Sequence, residues 1–409
     1  MFQSYADWAI IAVFIVFYSL IAKAIGRTWI SDAMVFVGAG FLLGDDGLGW
    51  LHFNVTSENL ETIVELTLAL ILFTDAANAN LPVLKNSLRL PWRLLAIGLP
   101  LTIALGFGVS SLLFPQFSWV EAALLAVMLA PTDAALGKAV VSNTQVPDNI
   151  REDLNVESGL NDGICVPLLL SLLAIADSQQ IQGSPTSLLV SLFLQQIGIG
   201  VLISVSFAFI ATQMRHFFLK KNWAASDWQP VLPIALAVAC FATSQQLGGS
   251  GFIACFVGGL MFGGLNRQQR ESLLMAAEGT GDALSLITWV AFGSSIVVLV
   301  FAQITWQAVV YGVLSLTLVR MVPVAIALFR LKQNLYTVLF AGWFGPRGLA
   351  SIVFAVMVLD ARLPYSQEIA VVVSLTIIFS VIAHGLSATP LANRYGRWWS
   401  RHQVKHPSH

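Results

Sequence analysis

The chain has 409 residues, of which 57% are hydrophobic and only 11% are charged, and its mean hydropathy is +0.78. A water-soluble protein of this composition would lack the charged residues that cover a surface, so the composition predicts an integral membrane protein. The formal net charge of −1 gives no reason to expect binding to nucleic acid.

Hydropathy divides the chain into about thirteen apolar segments of roughly the ~20 residues that a spanning helix needs. The third and the ninth segments have the weakest signal. No basic residue precedes the first segment and no cleavage-like sequence follows it, so we expect it to be retained and not removed as a signal peptide. The predicted spans are 7–26, 29–47, 58–77, 92–114, 119–140, 154–176, 186–213, 229–247, 251–265, 283–302, 306–329, 335–359 and 367–389.

The distribution of basic residues predicts the orientation of the chain in the membrane, because cytoplasmic connections are enriched in Lys and Arg. Basic groups follow the third, fifth, seventh, ninth and eleventh spans, and the tail after the last span is basic as well. These features place the N-terminus outside and the C-terminus in the cytoplasm. The groups lie at 85–93, 138–151, 215–221, 267–270 and 330–332.

The connections between spans are short, so we expect one transmembrane domain, residues 1–390, and a short cytoplasmic tail, residues 391–409. No nucleotide-binding motif is present, which argues against ATP-driven transport and against a nucleotide partner. The three cysteines, Cys165, Cys240 and Cys255, lie in apolar runs, as packing residues do, and predict neither a disulfide framework nor a metal site.

The spans can be aligned as two repeats, 7–176 and 229–389, around a linker helix at 186–213. Their offset of seven spans implies opposite orientations, a common design in secondary transporters. The fifth span of each repeat has a mid-span proline, Pro131 or Pro346, within two residues of a charged residue. Proline removes a backbone donor, and broken helix at that depth requires protein or a water-filled cavity around it. Two ordinary proline kinks are the alternative.

Two aspartates, Asp133 and Asp162, lie in the middle of predicted spans, where an ionisable group costs several kcal/mol and usually has a function. Ser158 and Asp162 are four residues apart and share one helix face. With Asp133 and the carbonyl of Thr132 they would form a cluster of hard oxygens, which suits a small cation. A role for Asp133 as a cap of a broken helix is the alternative.

A desolvated carboxylate near other carboxylates can hold a proton or a cation, but not both well. That competition would exchange the two ions across the membrane, with no cofactor.

Glu157 and Arg320 are the expected buried ion pair, because a charged arginine facing lipid would be intolerable. Arg347 is expected to neutralise the dipole ends at the second broken helix. A direct role for either arginine in substrate binding would indicate an anion transporter instead. Glu65 and Asp75 could line an access path or serve packing, and His384 could sense pH or be a satisfied helix-end histidine.

Four motifs resemble those of the monovalent cation:proton antiporter family 1, the NhaP-like and eukaryotic-type sodium/proton exchangers. They are PTD at 131–133, ESGLNDG at 157–163, GSGF at 249–252 and GPRG at 345–348, in the family's order. The resemblance covers nearly the whole membrane chain. One departure is the segment FTDAA at 73–77, where relatives often have a glycine, which leaves helix packing there in question.

The resemblance implies an all-α membrane protein of about thirteen helices, with two inverted six-helix repeats and crossed broken helices. It also implies a homodimer in which a core domain moves like an elevator. Asp162 would be the essential cation- and proton-binding carboxylate, and Asp133, Thr132 and Ser158 would complete the cation shell. Asn161 would support the broken helices.

Glu157 and Arg320 correspond to the family's buried ion pair, and Asn161 before Asp162 resembles the electroneutral branch. We therefore expect Na⁺(Li⁺)/H⁺ antiport, with K⁺/H⁺ antiport as the nearest alternative, in a bacterial inner membrane. An intramembrane aspartyl protease and a cation channel are more distant hypotheses. The protease would need a Gly-x-Gly-Asp element, which surrounds neither aspartate, and channels usually line one pore with several subunits.

Overall fold

The structure is a computed structural model that describes residues 5–26, 28–52, 58–79, 89–133, 136–141, 143–177, 185–223, 225–331 and 333–405. Regular structure in these residues is helical throughout. Parts of the predicted basic groups lie outside the described ranges, among them Lys85 and Lys332, and so does the end of the predicted tail, residues 406–409.

The α-helices of the described residues group into thirteen stretches, one for each predicted span. The first six stretches contain α1 (Tyr5–Ile25), α2 (Asp32–Leu43), α3 (Glu58–Asn78), α4 (Arg89–Arg93), α5 (Leu99–Leu113), α6 (Trp119–Met128), α7 (Lys138–Val141) and α8 (Asp148–Asp177). The other seven contain α9 (Pro185–Lys220), α10 (Leu232–Gln246), α11 (Gly251–Leu265), α12 (Arg270–Ala291), α13 (Val297–Gln303), α14 (Trp306–Leu316), α15 (Leu318–Leu328), α16 (Leu335–Trp343), α17 (Leu349–Asp360) and α18 (Ser366–Lys405).

Two π-helical turns, Leu94–Gly98 and Phe292–Ile296, join α4 to α5 and α12 to α13. Seven stretches of the described chain are long and apolar enough to cross a membrane, and four shorter apolar helices accompany them. The predicted fold class, an all-α integral membrane protein, is therefore confirmed, and helices are present at the two weakest spans, the third and the ninth.

Several helices run beyond their predicted spans, α12 and α18 by the most residues. The helix α12 begins at Arg270, well before the predicted start at 283, because its first turns are helical yet too polar to register as apolar. The helix α18 continues past 389 to Lys405, through part of the predicted tail. In that extension Tyr395 is fully buried and stacks on Phe340, with ring centroids 4.1 Å apart, so packing extends the helix.

The chain divides into two compact units. The first comprises the described residues of 1–61, 82–161 and 286–409 and contains both broken helices. In it α14 and α17 pack on α18, and α5 packs on α6. The helix α6 begins with a reciprocal cap, in which Ser118 and Glu121 satisfy each other's backbone N–H groups, so its start is fixed.

The second unit comprises the described residues of 62–81 and 162–285. Its helices α9, α10 and α11 pack on one another. A Cβ atom at Gly259 or Gly263 of α11 would overlap the carbonyl groups of Phe73 and Ala77 on α3. The close packing of α3 against α11 therefore depends on these two glycines of α11.

Candidate functional site

The two broken helices of the first unit contact each other at their breaks. The helix α6 ends at Met128, and the chain through Asp133 is not helical; likewise α16 ends at Trp343, and α17 starts at Leu349. The backbone N–H of Asp133 donates to the carbonyl of Pro346 at 2.8 Å. The hydroxyl of Ser351 donates to the carbonyl of Met128, also at 2.8 Å. Backbone groups freed by one break are therefore satisfied by the other.

The buried carboxylate of Asp133 joins these breaks. Its Oδ2 accepts from the backbone N–H of Leu349 at 2.7 Å, and its Oδ1 accepts from that of Leu136 at 3.2 Å. A negative charge at the N-terminus of α17 is favourable, because unpaired N–H groups and the helix dipole are positive there. Asp133 therefore caps the second broken helix, which is the alternative role considered for it above.

Thr132 is held by two residues of α8. The hydroxyl of Ser158 donates to the Thr132 carbonyl. The Asn161 side chain accepts from the Thr132 N–H at 3.2 Å and donates to the Thr132 hydroxyl at 2.8 Å. All three residues are buried. The structure thus brings together a carbonyl, two hydroxyls and an amide oxygen at the first break, all of them hard donors.

Asp162 is the next residue of α8 after Asn161 and is 7% exposed. It lies one helical turn after Ser158, so the two side chains leave the same side of α8. In the division into compact units, Asn161 ends a segment of the first and Asp162 begins a segment of the second.

Arg320 of α15 and Glu157 of α8 form a bidentate ion pair inside the first unit. The two guanidinium nitrogens donate to the two carboxylate oxygens at 2.6 and 2.9 Å, and both side chains are almost completely buried. The free-energy cost of desolvating two charges is offset by their attraction only when the geometry is this good. Loss of either partner leaves an uncompensated buried charge. The pair therefore ties α8 to α15.

Arg347 reaches from the second break to the first. Its backbone N–H donates to the Ser380 hydroxyl at 2.7 Å, and its Nη1 donates to the carbonyls of Ala130 and Pro131 at 3.0 and 2.9 Å. From the sequence we expected Arg347 to neutralise the dipole ends at the second broken helix. These contacts place Nη1 on the carbonyls that follow α6, where a cation is favourable, and the neutralisation of the dipole ends at the second broken helix stays a prediction.

Two buried serines at the breaks, Ser351 and Ser380, were not among the predicted site residues. A signal for Ser380 exists, because it lies four residues before His384 in an otherwise apolar run and so shares its helix face. The His384 ring is buried, with Nδ1 near Ser380 and Nε2 2.9 Å from the Trp343 carbonyl. Both nitrogens have partners, as in the satisfied-histidine alternative.

Glu65 and Asp75 lie partly buried on α3 in the second unit. Within the described ranges there is no group of three or more His, Cys, Asp or Glu side chains suited to holding a metal ion.

Comparison with known proteins gives one consistent result. The family model described as sodium/hydrogen exchanger, transmembrane, matches residues 10–394. A protein named K(+)/H(+) antiporter NhaP2, from Shewanella sp. (strain MR-4), is 24% identical over 383 residues, which are 91% of this chain. A protein named Na(+)/H(+) antiporter, from Schizosaccharomyces pombe, is 26% identical over 318 residues, 68% of this chain and 66% of its own length.

Among solved structures, the sodium proton antiporter MjNhaP1 from Methanocaldococcus jannaschii at pH 8 superposes with a TM-score of 0.79 at 18% identity. The match covers 95% of this chain and 98% of that one, so the two share a fold. The chain spans 64% of the length of the Shewanella relative.

Proposed function

Because the chain belongs to the transmembrane sodium/hydrogen exchanger family, we propose that it is a secondary antiporter that exchanges one monovalent cation for one proton at Asp162. The observation that carries this proposal is the linkage of Thr132 to Ser158 and Asn161, immediately before Asp162 on the same helix. Na⁺ or Li⁺ is the proposed cation, and K⁺ is the alternative, since relatives bear either name.

The cation shell consists of the Asp162 carboxylate, the Ser158 hydroxyl, the Thr132 carbonyl and the negative charge of Asp133. Their hard oxygens match a small alkali cation. When the cation leaves, a proton takes its place on Asp162, because an isolated ionised carboxylate is costly at this depth. One dominant carboxylate gives one proton per cation and hence electroneutral exchange.

The remaining predicted residues hold this arrangement in place. Asn161 fixes the backbone of Thr132, Arg347 neutralises the carbonyls that follow α6, and the Glu157–Arg320 pair anchors α8. In this proposal no cofactor takes part. The protein acts as a homodimer in the cell membrane with its N-terminus outside and its C-terminus in the cytoplasm, and access alternates by movement of a core domain. The inverted repeats at 7–176 and 229–389 remain the predicted basis of that movement.

Transport by reconstituted protein tests the proposal. Proteoliposomes with an imposed pH gradient and a pH-sensitive dye should report proton movement when Na⁺, Li⁺ or K⁺ is added, with the membrane potential clamped at zero. The variant Asp162→Asn should abolish the signal, whereas Asp360→Asn, an exposed aspartate at the end of α17, should not change it. Full exchange by Asp162→Asn, or currents that reveal a channel, would refute the assignment.

A further inference from the structure

A large apolar cavity lies in the second unit, at the basic end of α9. Its volume is about 720 Å³, and α9 and the start of α10 contribute most of its wall. Apolar side chains dominate its lining, among them Phe207, Ile210, Met214, Phe218 and Leu232. The exchange mechanism uses none of these residues.

The cavity has one buried charge, the guanidinium of Arg215, which is 7% exposed. Its Nη1 donates to Asn266 at 2.9 Å, and its Nη2 donates to Gln229 at 2.9 Å and to Gln269. All three partners are neutral amides. Nε has no hydrogen-bond partner in the described part of the chain, and none of the ion pairs found there includes Arg215. A buried cation without a counter-charge has strong affinity for an anion.

The rim of the cavity has the character of a membrane interface. Trp223 and Trp228 line it and are 72% and 73% exposed. Lys220 and Lys221, at the end of α9, are exposed beside them. Indole rings and lysines are typical of the headgroup level of a bilayer, and basic pockets between membrane helices bind anionic headgroups.

We propose that this cavity binds an anionic phospholipid, with the phosphate on Arg215 and an acyl chain along the apolar wall of α9. Charge complementarity selects the headgroup, because Arg215 provides a fixed cation between the apolar wall of α9 and the rim that contains Trp223 and Trp228. A zwitterionic lipid would bring its own cation toward the same lysines and bind more weakly.

Lipid binding to the purified, delipidated full-length protein tests this proposal. Native mass spectrometry and thermal melting should be compared for phosphatidylglycerol, phosphatidylcholine and soluble glycerol phosphate. Phosphatidylglycerol should bind at least about tenfold more tightly than phosphatidylcholine and raise the melting temperature, and glycerol phosphate should do neither.

Two variants locate the site. Arg215→Gln should remove the preference for phosphatidylglycerol. Ala211→Phe, one turn earlier on α9, should block the apolar wall while the charge stays in place. Arg394→Gln, which removes an exposed arginine of α18, should leave the preference unchanged.

If Arg215→Gln fails to fold, Ala211→Phe alone decides the matter. Unchanged binding in Ala211→Phe would overturn the proposal. So would equal affinity for the two lipids in the native protein. A third contrary result would be weaker self-association of Ala211→Phe with no loss of lipid, because a second copy of the chain would then be the occupant.

Discussion

The carboxylate of Asp133 accepts a 2.7 Å hydrogen bond from the backbone N–H of Leu349, so a residue of the first break caps the helix that follows the second. The return contact, from the Asp133 N–H to the Pro346 carbonyl, closes the link at the level of the backbone. Hydrogen bonds in both directions therefore join the two breaks to each other. A substitution at either break should therefore also disturb the structure of the other.

Removing the Asp133 side chain should destabilise the protein. The variant Asp133→Ala leaves the N–H groups of Leu349 and Leu136 without their acceptor, at a cost of about 1–3 kcal/mol. Asp133→Asn keeps one acceptor oxygen and should lose less stability. Thermal melting in detergent, followed by tryptophan fluorescence, measures both effects. Equal melting temperatures for native protein and Asp133→Ala would show that the cap contributes nothing.

A side chain at position 348 should separate the breaks. A Cβ atom on Gly348 would overlap the Asp133 carboxylate. The residue after Gly348, Leu349, donates its backbone N–H to the same carboxylate. We expect Gly348→Ala to lower the melting temperature and to abolish exchange.

Gly108→Ala is the matched control, because a Cβ there meets no atom within 4 Å. In the middle of α5 alanine should stabilise by roughly 0.4–1 kcal/mol. Similar losses in both variants would mean that replacing glycine, and not contact with Asp133, causes the damage.

Breaking the buried ion pair should be more damaging than breaking an exposed one. Glu157→Gln leaves Arg320 charged and buried, which costs roughly 3–5 kcal/mol and should greatly reduce the yield of folded protein. Replacing both residues, as Glu157→Leu with Arg320→Met, should recover part of the loss. Asp148→Asn, which breaks an ion pair with Arg151 at the exposed start of α8, should cost less than about 1 kcal/mol. If Glu157→Gln proved as stable as Asp148→Asn, the pair would have no anchoring role.

The hydroxyl of Ser158 should affect cation affinity more than folding. Ser158→Ala removes both the hydrogen bond to the Thr132 carbonyl and one proposed cation ligand. The apparent KM for the cation should rise about tenfold, the equivalent of one hydrogen bond to a charged group. Ser171→Ala, at another buried serine of α8 whose hydroxyl has no partner among the described residues, should leave KM unchanged. Equal KM values for Ser158→Ala and native protein would remove Ser158 from the shell.

Sequence reasoning predicted the fold well because membrane helices leave a strong signal. Long apolar segments and the two prolines gave the thirteen stretches and both breaks. Helix ends were less predictable: α18 continues to Lys405 because Tyr395 packs on Phe340, a contact that hydropathy does not reveal.

The site was only partly predictable. Charged residues in mid-span were found from the cost of burying them, and spacing alone placed Ser158 and Asp162 on one face of α8. Contacts between breaks could not be read from spacing, because they join residues more than 200 positions apart. The reach of Arg347 to Ala130 and the cap from Asp133 to Leu349 depend on how α6 and α17 cross.

The pH dependence of cation affinity is the measurement that bears most directly on exchange at Asp162. If one proton and one cation compete for this carboxylate, lowering the pH protonates it and raises the apparent cation KM. Initial rates in proteoliposomes should show KM rising about tenfold per pH unit on the acidic side, at constant maximal rate. A KM independent of pH, with only the maximal rate falling, would contradict competition at a shared carboxylate.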